Sequence, residues 1–95
     1  MEVALITGAT RGIGSAIADY LESRKISLIL TGTNIEEIKA LNLSSSSLRS
    51  YIQVDFSDKD STSEFLEYLS GIPRLDICIN NAGINIIKSA YETSI

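Results

Sequence analysis

Ninety-five residues allow one small domain, and a hydrophobic share of 44% with 21% charged residues is an ordinary globular composition with material for a core. A net charge of -4 and the absence of any basic cluster argue against nucleic acid or an anionic membrane surface as partner, since both need a patch of Lys and Arg. The single cysteine, Cys78, excludes an internal disulfide and reads as a small buried hydrophobe; with no secretory-type leader and no apolar run near the roughly 18 residues that span a bilayer, a cytoplasmic location is expected.

The chain then alternates. Residues 3–7 are a continuous apolar run, the mark of a strand covered on both faces, and Ile13, Ala16, Ile17, Tyr20 and Leu21 recur at helical spacing behind it. Residues 27–31 form a second apolar strand, followed by Ile35, Ile38 and Leu41 on one helical face with Glu36, Glu37 and Lys39 turned away. The stretch 42–50, with four consecutive serines from Ser44 to Ser47, predicts a flexible surface loop. A third strand is expected over 51–55. Ser57 or Asp58 then caps a helix whose inward face is Phe65, Leu66 and Leu69, and Gly71-Ile72-Pro73 ends it. Residues 75–80 make a fourth strand. A β-α-β-α-β-α-β alternation with right-handed crossovers implies an α/β fold with a parallel sheet, in which ligands bind beyond the carboxyl ends of the strands.

One of those ends carries Thr7-Gly8-Ala9-Thr10-Arg11-Gly12-Ile13-Gly14, between the first strand and the first helix. Three glycines there let the chain bend sharply, bring bare backbone N–H groups up to a pyrophosphate and aim the positive end of a helix dipole at it. A structural turn is the competing reading. The P-loop pattern is absent, because no lysine follows any of these glycines. Farther on, Asn80-Asn81-Ala82-Gly83 closes the fourth strand, and Asp55 follows the third.

Together these motifs resemble the classical short-chain dehydrogenase/reductase family, whose signatures are T-G-x-x-x-G-x-G near the N-terminus and N-N-A-G after the fourth strand. The resemblance implies a Rossmann-type sheet of order 3-2-1-4 and makes residues 1–95 a partial dinucleotide-binding domain. It implies that Gly8, Gly12 and Gly14 shape the pyrophosphate loop with Thr10 and Arg11 between them. It also implies that Ile13 points into the helix-sheet contact or toward the nicotinamide, that Asp55 and Phe56 meet the adenine, and that Asn81, Ala82 and Gly83 pack close to the adenosine ribose. Thr7 is placed to hydrogen-bond across the turn. Asp55 as a simple turn or cap residue, and the second motif as a tight turn, remain alternatives.

For the choice of cofactor, the end of the second strand reads Thr31-Gly32-Thr33-Asn34, without a carboxylate to accept ribose hydrogen bonds and repel a 2′-phosphate. Arg11 can meet such a phosphate through its guanidinium fork, so NADP is favoured, with NAD still admitted. Thr33 stands where many NADP-preferring relatives carry a second arginine, and Glu36 and Glu37 lie close enough to oppose the phosphate.

The family assigns catalysis to a serine, a tyrosine and a lysine spaced Y-x-x-x-K. Here Tyr20, Tyr51, Tyr68 and Tyr91 are followed four residues on by Arg24, Asp55, Ile72 and Ile95, and the chain has no histidine, so no catalytic or metal-ligating residue is expected within it. Two readings follow. The chain is the cofactor-binding part of an oxidoreductase whose catalytic segment lies elsewhere, or it is a non-catalytic nucleotide-binding or interaction module. In either, an uncovered fourth-strand edge is expected to favour self-association.

Overall fold

Four strands and three helices alternate strictly in the computed structural model, which describes residues 1–81. They are β1 (Val3–Thr7), α1 (Gly12–Ser23), β2 (Ser27–Gly32), α2 (Ile35–Ser44), β3 (Arg49–Gln53), α3 (Lys59–Ser70) and β4 (Ile77–Asn80). All pairings are parallel and the sheet order is β3-β2-β1-β4, the order implied by the family resemblance. Leu5 in the central strand sits opposite Ile29 on one side and Cys78 on the other.

Because successive side chains of a strand point to opposite faces, the sheet separates two cores. Ala4, Ile6, Leu28, Leu30 and Tyr51 pack with Ala18 of α1 and Ile38 of α2 on one face. Leu5, Ile29 and Val54 pack with Phe65 and Leu69 of α3 on the other. Continuous apolar runs in β1 and β2 are therefore required, since both faces are covered.

The expected inward face of α3 is found: Phe65 and Leu69 are buried and Leu66 is partly buried. Asp58, rather than Ser57, is the cap, accepting from the Asp60 N–H at 3.0 Å. The stripe expected on α1 is corrected. Ile13 is 73% exposed and Tyr20 62%, and Ala16 is exposed as well, whereas Gly14 and Ala18 are the buried residues, flanked by Ile17 and Leu21. Small residues at one helical spacing let the helix axis approach the sheet, and this rotates the larger apolar residues outward. Ile35, expected on the inner face of α2, is likewise exposed.

The 42–50 stretch is not a nine-residue flexible loop. Helix α2 runs through Ser44 and β3 begins at Arg49, two residues before the expected strand, which ends at Gln53 rather than Asp55. Asn42 explains this. Its side-chain amide donates to the Tyr51 carbonyl at 2.8 Å and its carbonyl accepts from the Tyr51 N–H at 2.9 Å, pairing the outer edge of β3 as a neighbouring strand would. Arg49 secures the strand's start, reaching Asp19 at 2.7 Å, Glu22 at 2.9 Å and the Tyr51 hydroxyl at 2.8 Å, while Ser46 donates to the Glu22 carboxylate. β4 is shorter than expected, and its Cys78 is exposed, contrary to the buried reading. Alternation puts Cys78 on the α3 side of the sheet, and among the described residues α3 packs over β1 and β2 instead. Partial desolvation raises its thiol pKa.

Candidate functional site

The carboxyl ends of β1, β2 and β3 open into a cleft of about 240 Å³. From the expected cofactor set, Gly8, Thr10, Arg11, Thr33 and Phe56 line it together, and Thr31, Gly32 and Val54 complete the wall. A larger depression of about 430 Å³, lined by Met1, Ser27, Tyr68 and Pro73 among others, holds none of the expected residues. It lies near the amino ends of the strands, the side of a parallel sheet away from its ligand crevice.

The glycine turn is built from backbone demands. Gly8 and Gly12 have φ of 61° and 64°, in the left-handed region that a side chain disfavours. Gly14 serves a different need. A Cβ there would stand 2.6 Å from the Gly8 carbonyl oxygen, 2.8 Å from the Asn81 amide nitrogen and 3.0 Å from the Ala9 Cα, so Gly14 is what lets α1 close against the turn. Thr31 holds the other side: its hydroxyl accepts from the Gly8 N–H at 3.1 Å, and its carbonyl accepts from the Ala9 N–H at 2.9 Å. Asn81 donates to the Gly8 carbonyl at 2.9 Å, and the Thr7 hydroxyl donates to the Asn80 side-chain carbonyl at 3.1 Å, tying β4 to β1 and its turn.

Helix α1 starts at Gly12 with Arg11 at its N-cap in extended backbone, without a side-chain cap and without an acidic residue in the first turn. The other two helices are capped by Asn34 and Asp58 and carry Glu36, Glu37 and Asp60 in their first turns. The positive end of α1 is thus the one whose N–H groups are left for an anion.

Arg11 projects from this turn with 78% of its side chain exposed and donates through Nη2 to Glu37 Oε2 at 3.1 Å. Asp55 accepts from the Ser57 hydroxyl at 2.6 Å and the Ser57 N–H at 3.0 Å, and these bonds hold its carboxyl below the usual range. The turn reading of Asp55 is therefore realised, while its second carboxylate oxygen takes no part in those two bonds. Phe56 packs edge-on against Phe65, with ring centres 5.8 Å apart, which fixes it as a wall of the cleft. Ile13 is not in the helix-sheet contact, and Asn81 is exposed at the end of β4. Ala82 and Gly83 lie outside the described residues. Thr31 is the site residue that sequence reasoning missed. Its signal was a threonine at the carboxyl end of an apolar run, whose hydroxyl when buried must find a partner.

A glycine turn that delivers β1 into an uncapped helix, at the crevice of a 3-2-1-4 parallel sheet, defines a Rossmann-type dinucleotide-binding fold. The family model for short chain dehydrogenase matches residues 2–95, and the chain belongs to that family. It is 41% identical over 100 residues to a 2-dehydro-3-deoxy-D-gluconate 5-dehydrogenase of Pseudoalteromonas atlantica, covering 96% of this chain and 38% of that protein. It is 36% identical over 84 residues to a 3-oxoacyl-(acyl-carrier-protein) reductase of Haemophilus influenzae, covering 87% and 35%. Among solved structures, a metagenomic short-chain oxidoreductase in complex with NADP matches with a TM-score of 0.67 at 32% identity, over 87% of this chain and 39% of that one. The chain thus spans between about a third and two fifths of the length of these relatives. Among the described residues, no helix is long and apolar enough to cross a membrane.

Proposed function

We propose that residues 1–95 form the cofactor-binding part of a short-chain oxidoreductase that moves hydride between NADP(H) and a carbonyl or alcohol substrate. NAD is the weaker alternative cofactor, and the proton-transferring residues come from a segment outside these residues. The observation that carries the reading is the cleft itself, where Arg11 and Thr33 flank an end of β2 that has no carboxylate. A bound nicotinamide cofactor supplies the hydride. The chain's own residues bind and orient it. Gly8 and Gly12 shape the loop, Gly14 sets α1 against it, and the open first turn of α1 with Thr10 faces the pyrophosphate. Arg11 and Thr33 receive the 2′-phosphate, and Asp55 and Phe56 border the adenine. Asn81, with Ala82 and Gly83, backs the ribose, and Ile13 faces the nicotinamide half.

The relative that holds NADP supports the cofactor assignment, and the lone cysteine supports a cytoplasmic setting. Besides the dinucleotide, the reading assigns one partner: a strand paired along the outer edge of β4, which stands last in the sheet order. Calorimetric titration with NADPH and NADH tests the proposal. Saturable binding is expected for both, NADPH the tighter, with Arg11→Ala weakening NADPH by about tenfold, the scale of one charge-assisted contact, and NADH by less than about twofold. Equal losses would remove Arg11 from the 2′-phosphate site, and no binding to a folded chain would remove the cofactor reading.

A further inference from the structure

We infer that Glu37 is a specificity-determining residue for this cofactor: its carboxylate holds the Arg11 guanidinium, so a 2′-phosphate enters only by displacing that ion pair. The inference rests on the cofactor reading above and deepens it, since it concerns how the same cleft weighs the two dinucleotides.

The geometry is specific to Glu37. Arg11 Nη2 lies 3.1 Å from Glu37 Oε2, so the pair ties Arg11, a residue of the cleft wall, to the first turn of α2. The two partners are held differently. The Glu37 N–H donates to the Asn34 side chain at 3.1 Å, inside the first turn of α2, and 33% of its side chain is exposed. A carboxylate there is further favoured by the helix N-terminus. Arg11 stands in extended backbone ahead of α1 and exposes 78% of its side chain. The carboxylate is therefore the anchored half of the pair and the guanidinium the half able to leave. Glu36, on the same turn, is exposed, and the carboxylate that Arg11 meets is that of Glu37.

The two dinucleotides meet this pair differently. The 2′-hydroxyl of NAD is neutral and leaves the pair intact. A 2′-phosphate brings a charge of about -1.5 to -2 at neutral pH and competes for the same guanidinium. Exposed ion pairs are weak, so the penalty is modest, on the order of fivefold in affinity. Glu37 thus tempers the NADP preference that Arg11 confers without abolishing it.

The test titrates adenosine 2′,5′-bisphosphate and AMP, which differ only in the 2′-phosphate, into the full chain, Glu37→Gln, Arg11→Ala and the double variant. Glu37→Gln keeps the shape of the side chain and removes its charge. It is expected to tighten the bisphosphate about fivefold and AMP by less than about twofold, and the gain is expected to vanish in the Arg11→Ala background and to shrink at about 0.5 M salt. An unmoved ratio between the two ligands overturns the inference. So does a gain that persists without Arg11, because that result means direct repulsion of the phosphate by Glu37 rather than release of the guanidinium. NADPH titrated into the same samples separates the two levels. A folded chain that binds neither NADPH nor AMP overturns the cofactor reading together with the inference, whereas normal NADPH binding with an unmoved ratio overturns the inference alone.

Discussion

Replacing Gly14 with alanine tests why the third glycine of the turn is there. On helix propensity alone the change stabilises, since alanine exceeds glycine by about 1 kcal/mol in a helix interior. The structure predicts the opposite sign. The new methyl would meet the Gly8 carbonyl oxygen at 2.6 Å and the Ala9 Cα at 3.0 Å, both backbone atoms with no rotamer to yield. It would also meet the Asn81 amide nitrogen at 2.8 Å, the group that donates to the Gly8 carbonyl. Overpacking of this kind costs about 1–3 kcal/mol, and loss of the asparagine bond adds about 1 kcal/mol. The net expectation is destabilisation by about 2 kcal/mol after the propensity gain is deducted. With a typical urea dependence, that lowers the unfolding midpoint by about 1 M. The assay is urea unfolding followed by circular dichroism, with Gly14→Ala beside the parent. A midpoint equal to or above the parent's would refute the packing argument and leave ligand approach as the reason for glycine.

Two further substitutions probe the supports of the site. Thr31→Val preserves shape but takes away the acceptor of the Gly8 N–H, a loss expected to cost about 1–2 kcal/mol and to weaken NADPH binding, checked by unfolding and titration of one sample. Arg49→Met removes the cation shared by Asp19 and Glu22, with an expected cost of about 1 kcal/mol because both carboxylates can turn to solvent. In the parent, burial works against the Arg49 charge, and the bonds to Asp19, Tyr51 and Glu22 more than offset it, so its pKa is raised. Hydrogen bonds from Ser46 and then Arg49 hold Glu22 below its ordinary value of 4.5. A folded-state pKa below the unfolded one contributes stability above the unfolded value, lost as pH falls through the folded value. Stability measured from pH 6 downward should therefore drop less steeply below about 4.5 in Arg49→Met than in the parent. An unchanged acid limb would show that Arg49 does not set the Glu22 pKa.

Much of this protein follows from local pattern. Continuous apolar runs, helical spacing and glycines at a strand end are properties of neighbouring residues, so the order and type of all seven described elements and the position of the glycine turn are legible in the chain itself. The parallel sheet then follows from the alternation, because a helix between two strands returns the chain in the same direction. The interior of α3 was legible for the same reason, having a single apolar stripe.

Where two stripes competed, local pattern failed. In α1 the larger apolar residues Ile13 and Tyr20 turn outward and Gly14 and Ala18 turn inward, since the face that lets backbones approach is decided by fit against the turn after β1 and the sheet and not by side-chain size. The start of β3 was displaced by Asn42, whose pairing with Tyr51 joins residues of two different elements, and the clamp of Thr31 on Gly8 spans 23 positions. The pairing of Arg11 with Glu37 spans 26. Proximity of Glu37 to the end of β2 was foreseeable from the chain, but which carboxylate holds the Arg11 guanidinium was not, because the partner is chosen by where the first turn of α2 ends up relative to the turn before α1. Periodicity specifies which residues share a face, and only the packed sheet sets how each face is turned and which distant side chains it brings within reach.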